Sequence, residues 1–197
     1  MKTTFSRIFF TAIIILMVAL VLVGVFLRLL VKDYLTDNAI EILQNDARVI
    51  SELAEVYHSS SRASTIDFIF NLNVASQVSG ADAVICDKDG KVVFCSDSPM
   101  GCEHQGMQVN RDYMLNVLEN NGSVNTGIIE NLYDDVRYIV AAPVTNTATG
   151  QNMGMVIVSS PLAATNLVLK KITDIFFIIS AYFPYMILIY FILSICF

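Results

Sequence analysis

The segment 95–106, CSDSPMGCEHQG, holds several of the side chains in this sequence that could do chemistry. It contains Cys95 and Cys102, with His104 two residues further on. Such a set can bind a metal ion, exchange thiols for disulfides, or close a stapled loop. The segment alone does not decide between these, because the redox state of its cysteines depends on the compartment in which it lies.

The compartment follows from two long apolar stretches at the ends of the sequence. Residues 8–27 carry no charged side chain, and at about 1.5 Å per residue they would cross the roughly 30 Å apolar core of a bilayer. Residues 175–197 form a second uncharged stretch. We therefore predict two transmembrane helices, at 8–30 and 174–197. A cleaved signal peptide fits the first stretch less well, because its apolar run is too long and no small-residue cleavage site follows it.

The orientation of these helices is predicted from the charges that precede the first one. Lys2 and Arg7 lie before it without an acidic neighbour, which places residues 1–7 in the cytoplasm by the positive-inside rule. Residues 31–173 then lie outside a multi-pass plasma-membrane protein. Residues 33–173 contain 17 acidic and 8 basic side chains. This charge argues against nucleic acid and anionic lipid as partners of this part.

An extracytoplasmic segment favours the stapled loop among the three alternatives. Paired cysteines tend to oxidise there, and Pro99 and Gly101 help the chain turn between Cys95 and Cys102. A bridge closing so short a loop contributes roughly 2.5 kcal/mol. We predict a Cys95–Cys102 disulfide. Cys86, within an apolar run, is predicted to be a small core residue.

Two other chemistries of the loop are weaker alternatives. A metal could be bound by Cys102 and His104 together with Glu103 or Asp97, but the spacing fits no closed four-ligand zinc pattern. A catalytic Cys–His pair is disfavoured, because a spacing of two residues does not bring the side chains into contact and no orienting third group is evident. No catalytic residue, metal or cofactor is therefore assigned.

The elements that position this loop are predicted from periodicity. Residues 33–57 carry an apolar stripe at helical spacing, with no Gly or Pro separating them from the first apolar stretch, so one continuous helix is possible. A second helix is predicted at 65–78, ending at Gly80, and a third between an N-cap at Asn110 and Gly122.

The remaining segments are predicted to form β-strands. "ADAVICDKDGKVVFCSD" predicts a β-hairpin, and further strands are expected at 123–132, 137–144 and 153–159. Ser160 and Pro161 are predicted to be the N-cap and first residue of an exit helix. The simplest fold is α+β, with a five-stranded antiparallel sheet and helices on one face.

These segments resemble a known family. "ADAVICDKDGKVVFCSD", the loop with "CEHQG", "GIIENLYDDVRYIVAAPV" and "GMVIVSSPL", followed by a second apolar helix, are similar to the extracytoplasmic sensor region of bacterial membrane-bound histidine kinases. The resemblance implies a PAS-like fold of the single-Cache type with a long N-terminal helix. It covers nearly the whole chain, and the Cys-Glu-His-Gln-Gly loop narrows it to kinases of the Gram-positive type.

The resemblance also implies a function. Such a chain is the sensory input module of a two-component system, acts as a homodimer, and transmits the motion caused by a ligand through two transmembrane helices. In the family, a HAMP linker, a phosphorylated histidine and an ATP-binding domain follow, and the kinase acts on a response regulator. None of their motifs occurs in these 197 residues, so we expect no enzyme activity of this chain. His58 and His104 are predicted to lie outside the cell, where neither can be the phosphoacceptor.

By the same resemblance, a small-molecule ligand would lie between the sheet and its covering loops. The residues implied are Asp97, His104, Tyr133, Asp135, Arg137 and Tyr138. Arg137 could bind a ligand carboxylate bidentately, or it could be a solvent-facing strand residue paired with Asp134 or Asp135. His104 could sense acid, or it could hold the loop through a hydrogen bond.

Other functions remain open at this stage. The same architecture serves chemoreceptors and cyclic-dinucleotide enzymes such as diguanylate cyclases, and a membrane-anchored metal-binding protein is an alternative of a different class. The sequence predicts neither the ligand nor the output domain.

Overall fold

The computed structural model describes residues 2–59, 65–96, 102–130 and 132–196. The chain forms two compact units, one of Met1–Leu35 with Thr165–Phe197 and one of Thr36–Ala164. Helix α1 (Lys2–Ser59) is continuous, as the lack of Gly and Pro near residue 33 allowed, and α4 (Leu162–Cys196) ends the described chain.

The first unit consists of the terminal parts of these two helices. Among the described residues, one helix, Arg7–His58, is long and apolar enough to cross a membrane by length and composition. Gly24 of α1 lies against the ring of Phe176 in α4, where a Cβ atom would overlap the ring. The absence of a side chain at Gly24 therefore allows the two helices to approach closely here.

The second unit is built on a five-stranded antiparallel sheet, as predicted. Its strands are β1 (Asp82–Asp87), β2 (Val92–Cys95), β3 (Ser123–Gly127), β4 (Arg137–Thr145) and β5 (Asn152–Pro161). Their order across the sheet is β2-β1-β5-β4-β3, so the last strand in the chain lies at the centre. Successive strand residues point to opposite faces, so each strand contributes to two separate cores.

One face of the sheet packs against α1 and α2 (Thr65–Ser79). The apolar stripe of α1 meets the sheet residues of this face, and the contributing α1 residues are Leu43, Ala47, Ile50 and Ala54. All four are almost completely buried. The apolar stripe predicted for residues 33–57 is thus used for packing within the chain.

The opposite face is covered by α3 (Arg111–Glu119) and by the loops around it. Met114 and Val117 of α3 pack on Cys86, Ile139 and Ile157 of the sheet. The expectation that the helices would all lie on one face was therefore wrong. Without α3, the second face would expose a continuous apolar surface, because the central strands are buried on both sides.

Two predicted boundaries also differ from the observed ones. β3 ends at Gly127 rather than at 132, because residues 128–130 leave the sheet, and hydrogen bonds from Leu132 and Tyr133 to the Ile129 carbonyl turn the chain back over it. Ser160 and Pro161 do not start the exit helix but continue β5, paired with Tyr138 and Arg137. The N-cap Asn110 was predicted correctly, since its side chain accepts a hydrogen bond from the Asp112 amide at 2.9 Å.

Cys86 provides a chemical test of the second core. It is 2% exposed, and burial, together with the charge of Asp87, raises the pKa of its thiol from about 9 to about 12. At pH 8, its reactive thiolate should thus be about 1000-fold rarer in the folded than in the unfolded chain. We expect iodoacetamide to modify Cys86 slowly in the native protein and quickly in guanidinium chloride, as measured by peptide mass spectrometry. Equal rates in both states would contradict this packing.

The same pKa shift makes the free energy of unfolding depend on pH. Folding favours the neutral Cys86 thiol, so the stability that this thiol contributes is fully present below pH 9 and is lost as the pH rises towards 12.

Candidate ligand site

The cysteine loop is closed by a disulfide, as predicted. Cys95 and Cys102 are bonded, and their Cα atoms lie 5.2 Å apart. Both sulfur atoms are therefore oxidised, and thiolate ligation of a metal by this loop is excluded in this redox state. His104 lies within 4.8 Å of both sulfur atoms, measured from a ring nitrogen.

An arginine stands at the centre of a polar group on the sheet face that α3 covers. Arg137 is only 7% exposed, although it is the first residue of β4. Its Nε donates to the Asp135 carboxylate at 2.9 Å, and its Nη1 donates to Asp82 at 2.6 Å and to the Ser159 hydroxyl at 3.0 Å. The Tyr133 ring lies over the guanidinium, with its centroid 3.8 Å from Cζ. We call these five residues the arginine cluster.

The electrostatics of the arginine cluster favour a permanent positive charge on Arg137. Burial lowers the pKa of the guanidinium, but the hydrogen bonds and charges of Asp135 and Asp82 outweigh burial, so the pKa is raised above its ordinary value. A buried cation is tolerated only when it is paired and hydrogen-bonded, and here the chain itself supplies two carboxylates and an aromatic face. Arg137 is therefore neither solvent-facing nor vacant for a ligand carboxylate at Nε and Nη1.

The cysteine loop contacts the arginine cluster through aromatic rings. The ring of His104 lies 5.0 Å from that of Tyr133, which in turn covers Arg137. The loop closed by the disulfide and the loop before β4 are thus held to the same end of the sheet.

Some predicted site residues meet in this arrangement and others do not. His104, Tyr133, Asp135 and Arg137 come together, whereas Tyr138 points to the opposite face and its hydroxyl lies 3.1 Å from Thr36 Oγ1. The period of two along a strand makes this separation unavoidable for neighbours in β4. Asp97 lies outside the described residues.

Two members of the arginine cluster were not predicted, namely Asp82 and Ser159. They are paired across β1 and β5, and Ser159 is paired in turn with Ile139 of β4. Alternation in "DAVICD" places Asp82 on the face of Val84 and Cys86, which was a usable signal. The sequence does not show which residues of distant strands are paired, so it could not predict that Asp82 and Ser159 contact Arg137.

A small cavity lies on the same sheet face as the arginine cluster. Its volume is about 250 Å³, below the range usual for drug-sized ligands. Ile139 lines it, and Arg137 precedes Ile139 by two residues on the same side of β4. Its other lining residues come from the start of α3 and from the chain after β3, namely Val109, Asn110, Asp112, Tyr113, Asn125, Ile128, Ile129 and Glu130. Apolar side chains with a few amide, carboxylate and phenol groups suit a small amphipathic molecule.

A larger groove of about 540 Å³ lies on the opposite face, between α1 and the strands β3 and β4. Its polar lining includes Arg48 and Glu52 of α1 and the Glu55 carboxylate. Glu55 accepts hydrogen bonds from the amide and hydroxyl of Thr147, which lower its pKa. The groove is separated by the sheet from the arginine cluster, so we take the smaller cavity as the candidate ligand site.

The arginine cluster adjoins the point where the sheet continues into α4. Arg137 is paired with Pro161, the last residue of β5, and the Leu162 amide donates to the Val136 carbonyl at 3.0 Å. No residue separates β5 from α4. A displacement of Arg137 would therefore be passed to the first residue of α4 through the hydrogen bond of the neighbouring Val136.

The second unit has a fold similar to that of Cache-like sensor domains. It consists of a central five-stranded antiparallel sheet in the order β2-β1-β5-β4-β3, a long N-terminal helix and a covering loop layer. No protein-family model matches the sequence, and no curated protein matches it.

Two solved structures are similar to the chain in fold. The sensor domain of the histidine kinase DctB of V. cholerae matches with a TM-score of 0.56 and 18% identity, over 70% of this chain and 55% of that one. An extracellular ligand-binding receptor from Desulfohalobium retbaense matches with a TM-score of 0.57 and 14% identity, over 72% of this chain and 26% of that one. This chain thus spans about half the length of the first structure, and the similarity concerns the fold.

Proposed function

We propose that this chain is the sensory input part of a membrane-bound sensor histidine kinase. In this proposal, residues 1–7 are cytoplasmic, helices at 8–30 and 174–197 cross the plasma membrane, and the domain at 31–173 lies outside. Two copies act together, and a cytoplasmic kinase that phosphorylates a response regulator follows in the parent protein. The fold similarity to a histidine kinase sensor domain supports a sensory input part, and the sequence resemblance is the reason for proposing a kinase over the chemoreceptor and diguanylate cyclase alternatives.

One observation carries the proposal, namely the position of the arginine cluster between the small cavity and α4. The cluster joins β1, β4, β5 and the loop before β4 through hydrogen bonds from one buried guanidinium. A ligand in the cavity would contact Ile129 and Ile139, which flank the loop and strand that the cluster holds. Such a ligand changes the output only to the extent that it binds the two arrangements of α4 with different affinities.

The ligand would be small and would carry polar groups at one end. The buried Ile139 forms an apolar part of the cavity, while Asn110, Asp112 and Asn125 supply acceptors and donors. Because Arg137 already binds two carboxylates of the chain, a free carboxylate is not the group that this site is built to neutralise.

Ligand binding is tested with the full chain in lipid nanodiscs, screened by thermal shift against small amino acids, amines, carboxylic acids and peptides. We expect at least one class to raise the melting temperature. The variant Asn125→Trp, which fills the mouth of the cavity, should abolish that rise. Thr126→Trp is the matched control, since it lies next to Asn125 on the edge strand but points to the other face.

Signalling is tested by fusing residues 1–197 to the cytoplasmic part of a characterised histidine kinase. A stabilising ligand should change autophosphorylation in this fusion, and Asn125→Trp should remove the response while Thr126→Trp retains it. If Asn125→Trp leaves both responses intact, the cavity is not the ligand site. If ligand binds but autophosphorylation never changes, the chain does not transmit ligand binding to a kinase, and the proposed sensory role is wrong.

A further inference from the structure

The cysteine loop places three metal-ligating groups together, although two of them are bonded to each other. The ligand atoms of Cys95, Cys102 and His104 all lie within 4.8 Å of one another. In a tetrahedral zinc site, two thiolates bound at about 2.3 Å lie roughly 3.8 Å apart. After reduction, the two sulfur atoms would therefore need to move only a short distance apart for the three groups to bind one cation.

The backbone around these residues is held by contacts other than the disulfide. Cys95 ends β2, and the turn containing His104 is tied to β2 by hydrogen bonds between Val92 and the chain at Gly106 and Met107, both 2.9 Å long. Two further bonds, from Gln105 to Cys102 and from Met107 to His104, close the turn itself. None of these hydrogen bonds uses a cysteine sulfur, so we expect the framework to hold the three ligands near one another after reduction.

The two sulfur atoms differ in access. Cys95 is 3% exposed, whereas Cys102 is half-buried. A low-molecular-weight thiol can thus attack Cys102 Sγ, form a mixed disulfide there and release the Cys95 thiolate. A second thiol attacks the sulfur of the bound first thiol, forms the external disulfide and releases the Cys102 thiolate. Two thiols are oxidised to one disulfide, and the two electrons reduce the Cys95–Cys102 bridge.

We propose that Cys95, Cys102 and His104 form a redox-gated site for a thiophilic divalent cation, with Zn²⁺ as the preferred ion. In the oxidised chain His104 alone remains as a ligand, and the site is closed. In the reduced chain two thiolates and one imidazole bind the ion, two protons leave the thiols, and a fourth position stays open to water. This donor set selects zinc over magnesium or calcium, which prefer oxygen ligands.

The proposed metal site is connected to the arginine cluster through the ring of His104. The His104 ring that would bind the ion lies 5.0 Å from Tyr133, whose ring covers Arg137. Ligation fixes one nitrogen and the orientation of the imidazole, and therefore the face that His104 presents to Tyr133. The metal site does not depend on the proposed sensory function and would exist whether or not the small cavity binds a ligand.

The test uses the full chain in detergent with Cys86 and Cys196 replaced by alanine, so that two of the four cysteines remain. After reduction by a phosphine, the protein is titrated with Co²⁺ as a spectroscopic probe and then with Zn²⁺ as competitor. We expect one Co²⁺ per chain with a thiolate-to-cobalt absorption band, displaced by one Zn²⁺. The oxidised chain should bind both ions at least about 100-fold more weakly, because it lacks both thiolates.

Two variants separate the site from adventitious binding. Cys95→Ser/Cys102→Ser should lose the thiolate band, and His104→Gln should keep the band but bind Zn²⁺ at least about 10-fold more weakly. The proposal is overturned if the reduced chain binds no more tightly than the double serine variant, or if oxidation leaves affinity unchanged. It is equally overturned if His104→Gln has no effect on affinity. A reduced chain or serine variant that no longer melts cooperatively also overturns it, because the ligands would then not be held together without the bridge.

Discussion

Replacing Arg137 by methionine will lower the stability of the second unit (Thr36–Ala164) by about 3 kcal/mol, which corresponds to a fall of roughly 10 °C in melting temperature. The change removes three charge-assisted hydrogen bonds and the contact with the Tyr133 ring. It leaves Asp82 and Asp135 without their cation. Because the side chains of these two residues are 36% and 48% exposed, water replaces part of the loss, and the cost stays at the lower end for a broken buried ion pair.

The thermal unfolding of the variant can be followed with a thiol-reactive dye, because the buried Cys86 thiol becomes accessible only when the second core opens. A Cys196→Ala background keeps the signal specific. Arg48→Met is the matched control, since Arg48 forms an exposed pair with Glu52 at 3.6 Å that contributes at most about 0.5 kcal/mol. Similar melting temperatures for the two variants would contradict the central role of Arg137.

A second readout distinguishes a purely structural role of Arg137 from a role in transmission. In the kinase fusion, Arg137→Lys retains one charge but cannot form the same forked set of bonds to Asp82 and Asp135. We expect it to fold and to respond weakly to ligand, with basal autophosphorylation changed. If Arg137→Lys responds like the unaltered chain, the cluster holds the fold and does not transmit the signal.

Local features of the sequence were predicted well because they depend on neighbouring residues. The hairpin at 82–95 and the N-cap Asn110 follow from turn chemistry and capping within a short window, so they can be predicted without knowledge of the fold. The Cys95–Cys102 bridge was predicted from the compartment, which the apolar stretches at both ends of the sequence indicated.

Features that depend on register between distant strands were not predictable from the sequence. Asp82 and Arg137 are 55 residues apart, and they meet only because β5 pairs with both β1 and β4. Likewise, Ile129 and Leu132 belong to a segment predicted to be a strand, yet they cover the sheet instead of extending it. Their spacing of three residues would place them on opposite faces of a strand, so the apolar pattern did not require one.

Replacing Gly154 by alanine should destabilise the second unit even more, by about 4 kcal/mol. Gly154 has a φ of +149°, a region that side chains disfavour, and a Cβ atom there would overlap the carbonyl oxygen of Cys86. β5 is paired on both sides, with Asp87 and Val144 opposite Gly154, so the backbone cannot move away from one strand without disturbing the other. The loss combines backbone strain with overpacking.

The effect should extend from Gly154 to the arginine cluster. The pairing that begins at Gly154 and Asp87 ends at Ser159 and Asp82, so a displaced β5 also displaces two partners of Arg137. Gly127→Ala is the control, because nothing lies within 4 Å of a Cβ atom at Gly127, which ends the edge strand β3. We expect Gly127→Ala to leave the melting temperature within about 2 °C of the original, since it alters an open surface position. If Gly154→Ala melts within the same range, then β1 and β5 are not packed as closely as this sheet requires, and the register that brings Asp82 to Arg137 is wrong.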